Sequence, residues 1–89
     1  MKIKVELFGA SREFSKNSLI EFEIKNNATV KDIRDEMINY LDLNFDGNQD
    51  FKKIVESSVF CNENNNIVSD NYKITKNEKI AIIPPIGGG

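Results

Sequence analysis

The chain opens on strict alternation. Ile3, Val5 and Leu7 fall on one face of an extended segment, and Lys2, Lys4 and Glu6 fall on the other. That period of two predicts a half-buried strand over residues 2–8, with Phe8 as an aromatic at the end of the polar face. Gly9 breaks it, and Ala10–Phe14 reads as a loop or a short helical turn. Residues 19–25 alternate again, with Ile20, Phe22 and Ile24 inward and Glu21, Glu23 and Lys25 outward. The polar stretch Ser15–Ser18 would join these two strands as an antiparallel hairpin. Beyond the turn signal Asn26-Asn27 the period changes. Val30, Ile33, Met37 and Leu41 recur at spacings of three and four, an amphipathic helix of roughly 12 residues with one face on the sheet. Thr29 is its N-cap, and Asp32 completes a capping-box-like pattern.

The second half is less regular. Asp42–Gln49 is polar, with a turn at Gly47. Phe51, Ile54 and Val55 suggest a short second helix. Val59, Phe60 and Cys61 lie in a strand over 58–62, and the turn Glu63–Asn66 leads back into Ile67-Val68. Tyr72–Ile74 is a brief extended piece. The last strand, 79–83, is apolar on both faces through Ile80-Ala81-Ile82-Ile83, as a central strand would be. The order β-β-α-β-β-β, with the last strand placed centrally beside the first, predicts an α+β fold of the β-grasp or ubiquitin-like kind. It would have a mixed sheet of four to five strands, one main helix across one face and a short second helix. Residues 1–83 form that single domain, and 84–89 form an extended tail.

Composition narrows the function. A net charge of −2 on 89 residues argues against a nucleic-acid or anionic-membrane binder. No apolar run approaches a membrane span, and the charged start lacks a signal peptide, so the expected compartment is the cytoplasm. There is no histidine and a single cysteine. The commonest general base and metal ligand is missing, so neither a metal site nor an active site of the chain's own is expected. Cys61 reads as an inert core thiol.

The tail Pro84-Pro85-Ile86-Gly87-Gly88-Gly89 carries the chemistry that remains. Two prolines lack amide donors, stop the ladder and stiffen the backbone. Glycines can thread a passage too narrow for side chains, and six extended residues reach roughly 20 Å. A glycine-rich end can equally be an unstructured tail.

The ending Ile80–Ile83, Pro84-Pro85, Ile86-Gly87, Gly88-Gly89 resembles that of the MoaD/ThiS sulfur-carrier family, which includes the small subunit of molybdopterin synthase. Ile3–Glu13 resembles the family's first strand and its Ala-x-Arg-Glu turn. Ala28–Ile33 resembles its helix start, and Asn62 a recurring asparagine. The turn Asn64–Asn66 is about one residue longer than the family's, and residues 42–57 resemble nothing specific. The resemblance implies that an adenylyltransferase of the ubiquitin-activating type uses ATP to adenylate the Gly89 carboxylate, with Gly88 beside it. A sulfur donor then converts it to a thiocarboxylate. The large subunit of molybdopterin synthase would receive the tail and pass the sulfur to a cyclic pyranopterin, building the molybdopterin dithiolene. No cofactor would be bound by the chain itself. By the same resemblance Phe8, Ile67 and Ile83 belong to a docking surface, with core packing as the alternative for each, and Pro84–Gly87 contact the partner. Arg12 pairs either with a partner or within its own turn. A thiamine-pathway sulfur carrier and a ubiquitin-like modifier joined to proteins through Gly89 are the alternatives.

Overall fold

The computed structural model describes residues 1–86. The strands are β1 (Lys2–Leu7), β2 (Leu19–Glu23), β3 (Val59–Cys61), β4 (Ile67–Val68) and β5 (Glu78–Ile83). They form one mixed sheet in the order β2-β1-β5-β3-β4. The predicted hairpin is present: β1 and β2 are antiparallel, with Val5 opposite Ile20. β5 lies parallel to β1, with Val5 beside Ile80, and antiparallel to β3, with Ile82 opposite Phe60. The last strand is therefore central and adjacent to the first, as expected.

Helix α1 (Val30–Asn44) lies across one face of the sheet and α2 (Gln49–Ser57) follows it. Val30, Ile33, Met37 and Leu41 are fully buried against Ile3, Val5, Leu7, Phe60, Ile80 and Ile82. The start of α1 is fixed by a complete capping box. The Thr29 amide donates to Asp32 Oδ2 at 2.9 Å and the Asp32 amide donates to Thr29 Oγ1 at 3.4 Å. The bond from the Thr29 amide, with a smaller contribution from Thr29 Oγ1 donating to Asp32 Oδ2 at 3.3 Å, holds the Asp32 carboxyl below its ordinary pKa.

The helix is longer than its apolar period. Asp42, Leu43 and Asn44 face solvent, so the stripe ends at Leu41 while the backbone continues. The end is closed by the Phe45 and Gly47 amides, which both donate to the Leu41 carbonyl at 2.9 and 3.2 Å. Past the cap at Phe45, Asp46 and Gly47 both take a left-handed φ, +53° and +69°, which turns the chain out of the helix, with aspartate in the position where glycine is commonest.

Residues 42–57, which resemble nothing specific in the sequence, build an aromatic annex to the core. Phe51 packs on Phe14 at 5.1 Å between ring centroids and on Phe45 at 5.2 Å. Phe14 ends a 3-10 helix, Gly9–Phe14, and its carbonyl accepts from Tyr40 Oη at 2.6 Å. α2 thus seals the open corner between α1 and the turn after β1. No helix among the described residues is long and apolar enough to cross a membrane.

Candidate functional face and tail root

With both helices on one side, the opposite face of the sheet is bare. β5 shows the consequence. Ile80 and Ile82 are buried in the core, whereas Lys79, Ala81 and Ile83 point to the uncovered side. The expectation of a strand buried on both faces is corrected here: a single helical layer covers one face only, and Ile83 remains 38% exposed.

The registers then assemble an apolar patch from residues far apart in sequence. Continuing the parallel β1–β5 pairing one residue past Leu7–Ile82 brings Phe8 beside Ile83. The β3–β5 pairing sets Val59 opposite Ile83. Phe8, Ile83 and Val59 form one row, with exposures of 42%, 38% and 44%. The next row runs Glu6, Ala81, Cys61, Ile67 across four strands, and Ile67 is 71% exposed. Adjacent exposed apolar side chains at the centre of a sheet, rimmed by charge, are the signature of a surface that another molecule covers.

Phe8, Ile67 and Ile83, named from the sequence, therefore meet on one face and point away from the core. Two members were missed. Val59 precedes the buried Phe60, so strand alternation alone puts it outward, and only the register shows that it meets Ile83. Cys61 is buried, but it lies on this outer face and not among the core side chains around Phe60, because it alternates with Phe60 and pairs with Ala81 and Ile67. The reading of it as a buried thiol holds, and what changes is its face, which is the outer one.

A polar rim flanks the patch along β1. Lys4, Glu6, Phe8, Arg12, Ser18, Leu19 and Lys79 line an open groove of about 510 Å³. Lys79 Nζ sits 3.7 Å from Glu6 Oε1, whereas Arg12 is exposed in the last turn of the 3-10 helix and joins no ion pair among the described residues. At the other end of β5, burial and the neighbouring Glu63 raise the Glu78 carboxyl above its ordinary pKa. Among the described residues, no group of three His, Cys, Asp or Glu side chains could hold a metal ion.

The tail leaves from the centre of the patch. β5 ends at Ile83, Pro84 is buried, and Pro85 and Ile86 are exposed. Pro84 lacks the amide needed to extend the ladder, which accounts for the strand ending where the sequence predicted. Gly87, Gly88 and Gly89 lie outside the described residues. The rim of the tail root is held by Ser11, whose amide and Oγ both donate to the Phe8 carbonyl, at 3.2 and 2.6 Å.

Solved structures share this architecture end to end. SAMP1 from Haloferax volcanii matches with a TM-score of 0.70 at 18% identity, covering 100% of both chains. A protein described as molybdopterin converting factor, subunit 1, from Pyrococcus furiosus matches with 0.70 at 19% identity, over 96% of this chain and 98% of that one. A ubiquitin from Caldiarchaeum subterraneum matches with 0.61 at 21% identity, over 100% and 98%. These likenesses establish a ubiquitin-like β-grasp fold. No curated protein matches the sequence. The ThiS family model, however, matches residues 5–89, from the second half of β1 through the glycine tail, and the chain belongs to the ThiS family.

Proposed function

We propose that this protein is a sulfur carrier acting as the small subunit of a molybdopterin synthase. The observation that carries the reading is the tail root: a Pro-Pro-x-x-Gly-Gly segment, inside the family match, that departs from the middle of an exposed apolar row. The row supplies a docking surface, and the tail supplies a group narrow enough to enter a partner's active site.

The chemistry follows from the carboxylate of Gly89. A carboxylate is a poor electrophile, so one of its oxygens attacks the α-phosphorus of ATP in an adenylyltransferase of the ubiquitin-activating type, and pyrophosphate leaves. A donor delivering sulfur at the oxidation level of hydrosulfide attacks the acyl carbon and AMP leaves. The resulting thiocarboxylate is a covalently held sulfur nucleophile. It is passed to a cyclic pyranopterin in the large synthase subunit, and two loaded carriers supply the two sulfurs of the dithiolene. Phe8, Val59, Ile67 and Ile83 dock the partner, Arg12 pairs with an acid on it, and Pro85–Gly88 thread the partner's passage, while Pro84, expected to touch the partner, is buried at the tail root.

A second reading is a protein modifier joined through Gly89 to lysines. The equal likeness to SAMP1 and to the molybdopterin converting factor favours keeping it. A thiamine-pathway carrier is a third member of the same chemistry. The deciding experiment is the intact mass of the protein recovered, untagged at its C-terminus, from its native cells. Replacement of one oxygen by sulfur on an otherwise free chain supports the carrier. Recovery only as branched conjugates through Gly89 supports the modifier. A carboxylate left untouched by ATP and an activating enzyme overturns both.

A further inference from the structure

The two prolines at the tail root are not equivalent. Pro84 is buried and Pro85 is exposed, so the packing of the chain against the domain ends between them. Part of what packs on Pro84 is Gly9, in the turn after β1. Gly9 has a φ of +55°, a conformation that suits glycine and strains other residues. A Cβ built on Gly9 would lie 3.7 Å from Pro84 Cδ and 3.8 Å from Pro84 Cγ, and it would meet nothing else nearby. The proline ring therefore lies over the Cα of Gly9. Ser11, bonded twice to the Phe8 carbonyl, keeps that turn closed. On the strand side, the parallel β1–β5 ladder delivers both residues to the same level of the sheet.

We propose that Gly9 and Pro84 form a seat that aims the tail, which makes them positioning residues for the reaction at Gly89. The inference rests on the reading of the tail as the substrate of an activating enzyme. It divides the labour between two parts of the surface. The row Phe8, Ile83, Val59 holds the partner and governs apparent affinity. The seat sets the direction in which the chain leaves at Pro85, and so governs how often the carboxylate meets the α-phosphorus once the complex has formed. Pro85 adds stiffness but has no seat of its own.

The test compares Pro84→Gly with Pro85→Gly, alongside Gly9→Ala and the Gly9→Ala/Pro84→Gly double variant. In the free protein, the heteronuclear NOE of the Ile86 amide reads the tail root directly. It is expected to fall for Pro84→Gly and to stay near the wild-type value for Pro85→Gly. Adenylation is followed by pyrophosphate release with an activating enzyme that accepts the wild-type chain. Pro84→Gly is expected to lower kcat about tenfold while KM stays within about twofold. Gly9→Ala is expected to lower kcat as well, and the double variant to be no worse than Pro84→Gly alone, since a seat can be lost only once. Equal effects of the two proline variants, a change confined to KM, or additive losses in the double variant would overturn the proposal. A wild-type chain that no activating enzyme adenylates overturns the functional reading instead, and the NMR comparison then decides the seat by itself.

Discussion

Replacing Arg34 with alanine is expected to remove a large share of the stability of this domain. Arg34 projects from α1 into the gap between the end of α2 and the start of β3. Its Nη1 donates to the Val55 carbonyl at 2.6 Å and to the Ser58 carbonyl at 2.9 Å, with the Glu56 carbonyl further off at 3.4 Å. Its Nη2 donates to Asp70 Oδ1 at 2.7 Å, and its guanidinium carbon lies 4.8 Å from the centre of the Phe60 ring. The last carbonyls of a helix have no partner within it, and here one cation collects them. Two charge-assisted bonds to buried segments are worth about 1.5 kcal/mol each, and the stacked ring about 1 kcal/mol more. The buried Nε, which has no partner among the described residues, costs about 1 kcal/mol of that. The Asp70 pair is half in solvent and adds about 0.5 kcal/mol at most. The sum is about 3 kcal/mol, against roughly 5–13 kcal/mol for a whole domain of this length. Urea unfolding of Arg34→Ala should show that loss, with a Tm lower by roughly 12–24 °C. Arg34→Lys keeps the charge but not the fork, and should lose about half as much. Asp70→Asn should change little. An Arg34→Ala domain within about 1 kcal/mol of wild type would refute the accounting and would mean that water satisfies the α2 terminus unaided. On the proposed function the link is direct, because Ser58 leads straight into Val59 and the exposed apolar row.

Ile83→Asp places a charge in the centre of that row; affinity for the activating partner, measured by calorimetry, should fall about a hundredfold while the urea midpoint changes little. Unchanged affinity would remove Ile83 from the interface. Asp32 titrates below its ordinary value because the native state bonds its ionised form. Its contribution is therefore present above the unfolded-state pKa and disappears as pH falls through the lower native pKa. The stability gap between wild type and Asp32→Asn should be full near neutrality and closed by about pH 2; the same gap at both pH values would show that the carboxylate charge is irrelevant to the cap. Gly47→Ala puts a Cβ 3.1 Å from Asp42 Oδ1 at a φ of +69°. It should cost about 1–2 kcal/mol in chemical denaturation, and a neutral result would mean that the α1–α2 turn can rebuild around another conformation.

Much of the fold can be read locally, because the helices press on one side of the sheet and impress two clean periods on the chain. Ile3, Val5 and Leu7 repeat every two residues, and Val30, Ile33, Met37 and Leu41 repeat at helical spacing; both stripes end in the same core. The site is less legible for a physical reason. A run such as Ile80-Ala81-Ile82-Ile83 states that both faces of a strand are apolar, but not which face the rest of the chain will cover. Val59 is one of many apolar residues beside a core residue until the β3–β5 register sets it against Ile83. Arg34 looks like any solvated helix charge, because the carbonyls it collects lie 21 to 24 residues away. The misreading of β5 is therefore informative. Exposed β-branched side chains on a central strand invite aggregation, and they are tolerated where a partner covers them in use. The same apolar continuity that sequence reasoning assigns to a doubly buried strand becomes, once only one face proves covered, the strongest local support for the proposed docking surface. The tail that leaves its end through Pro84 is then attached where a docked partner would have to receive it.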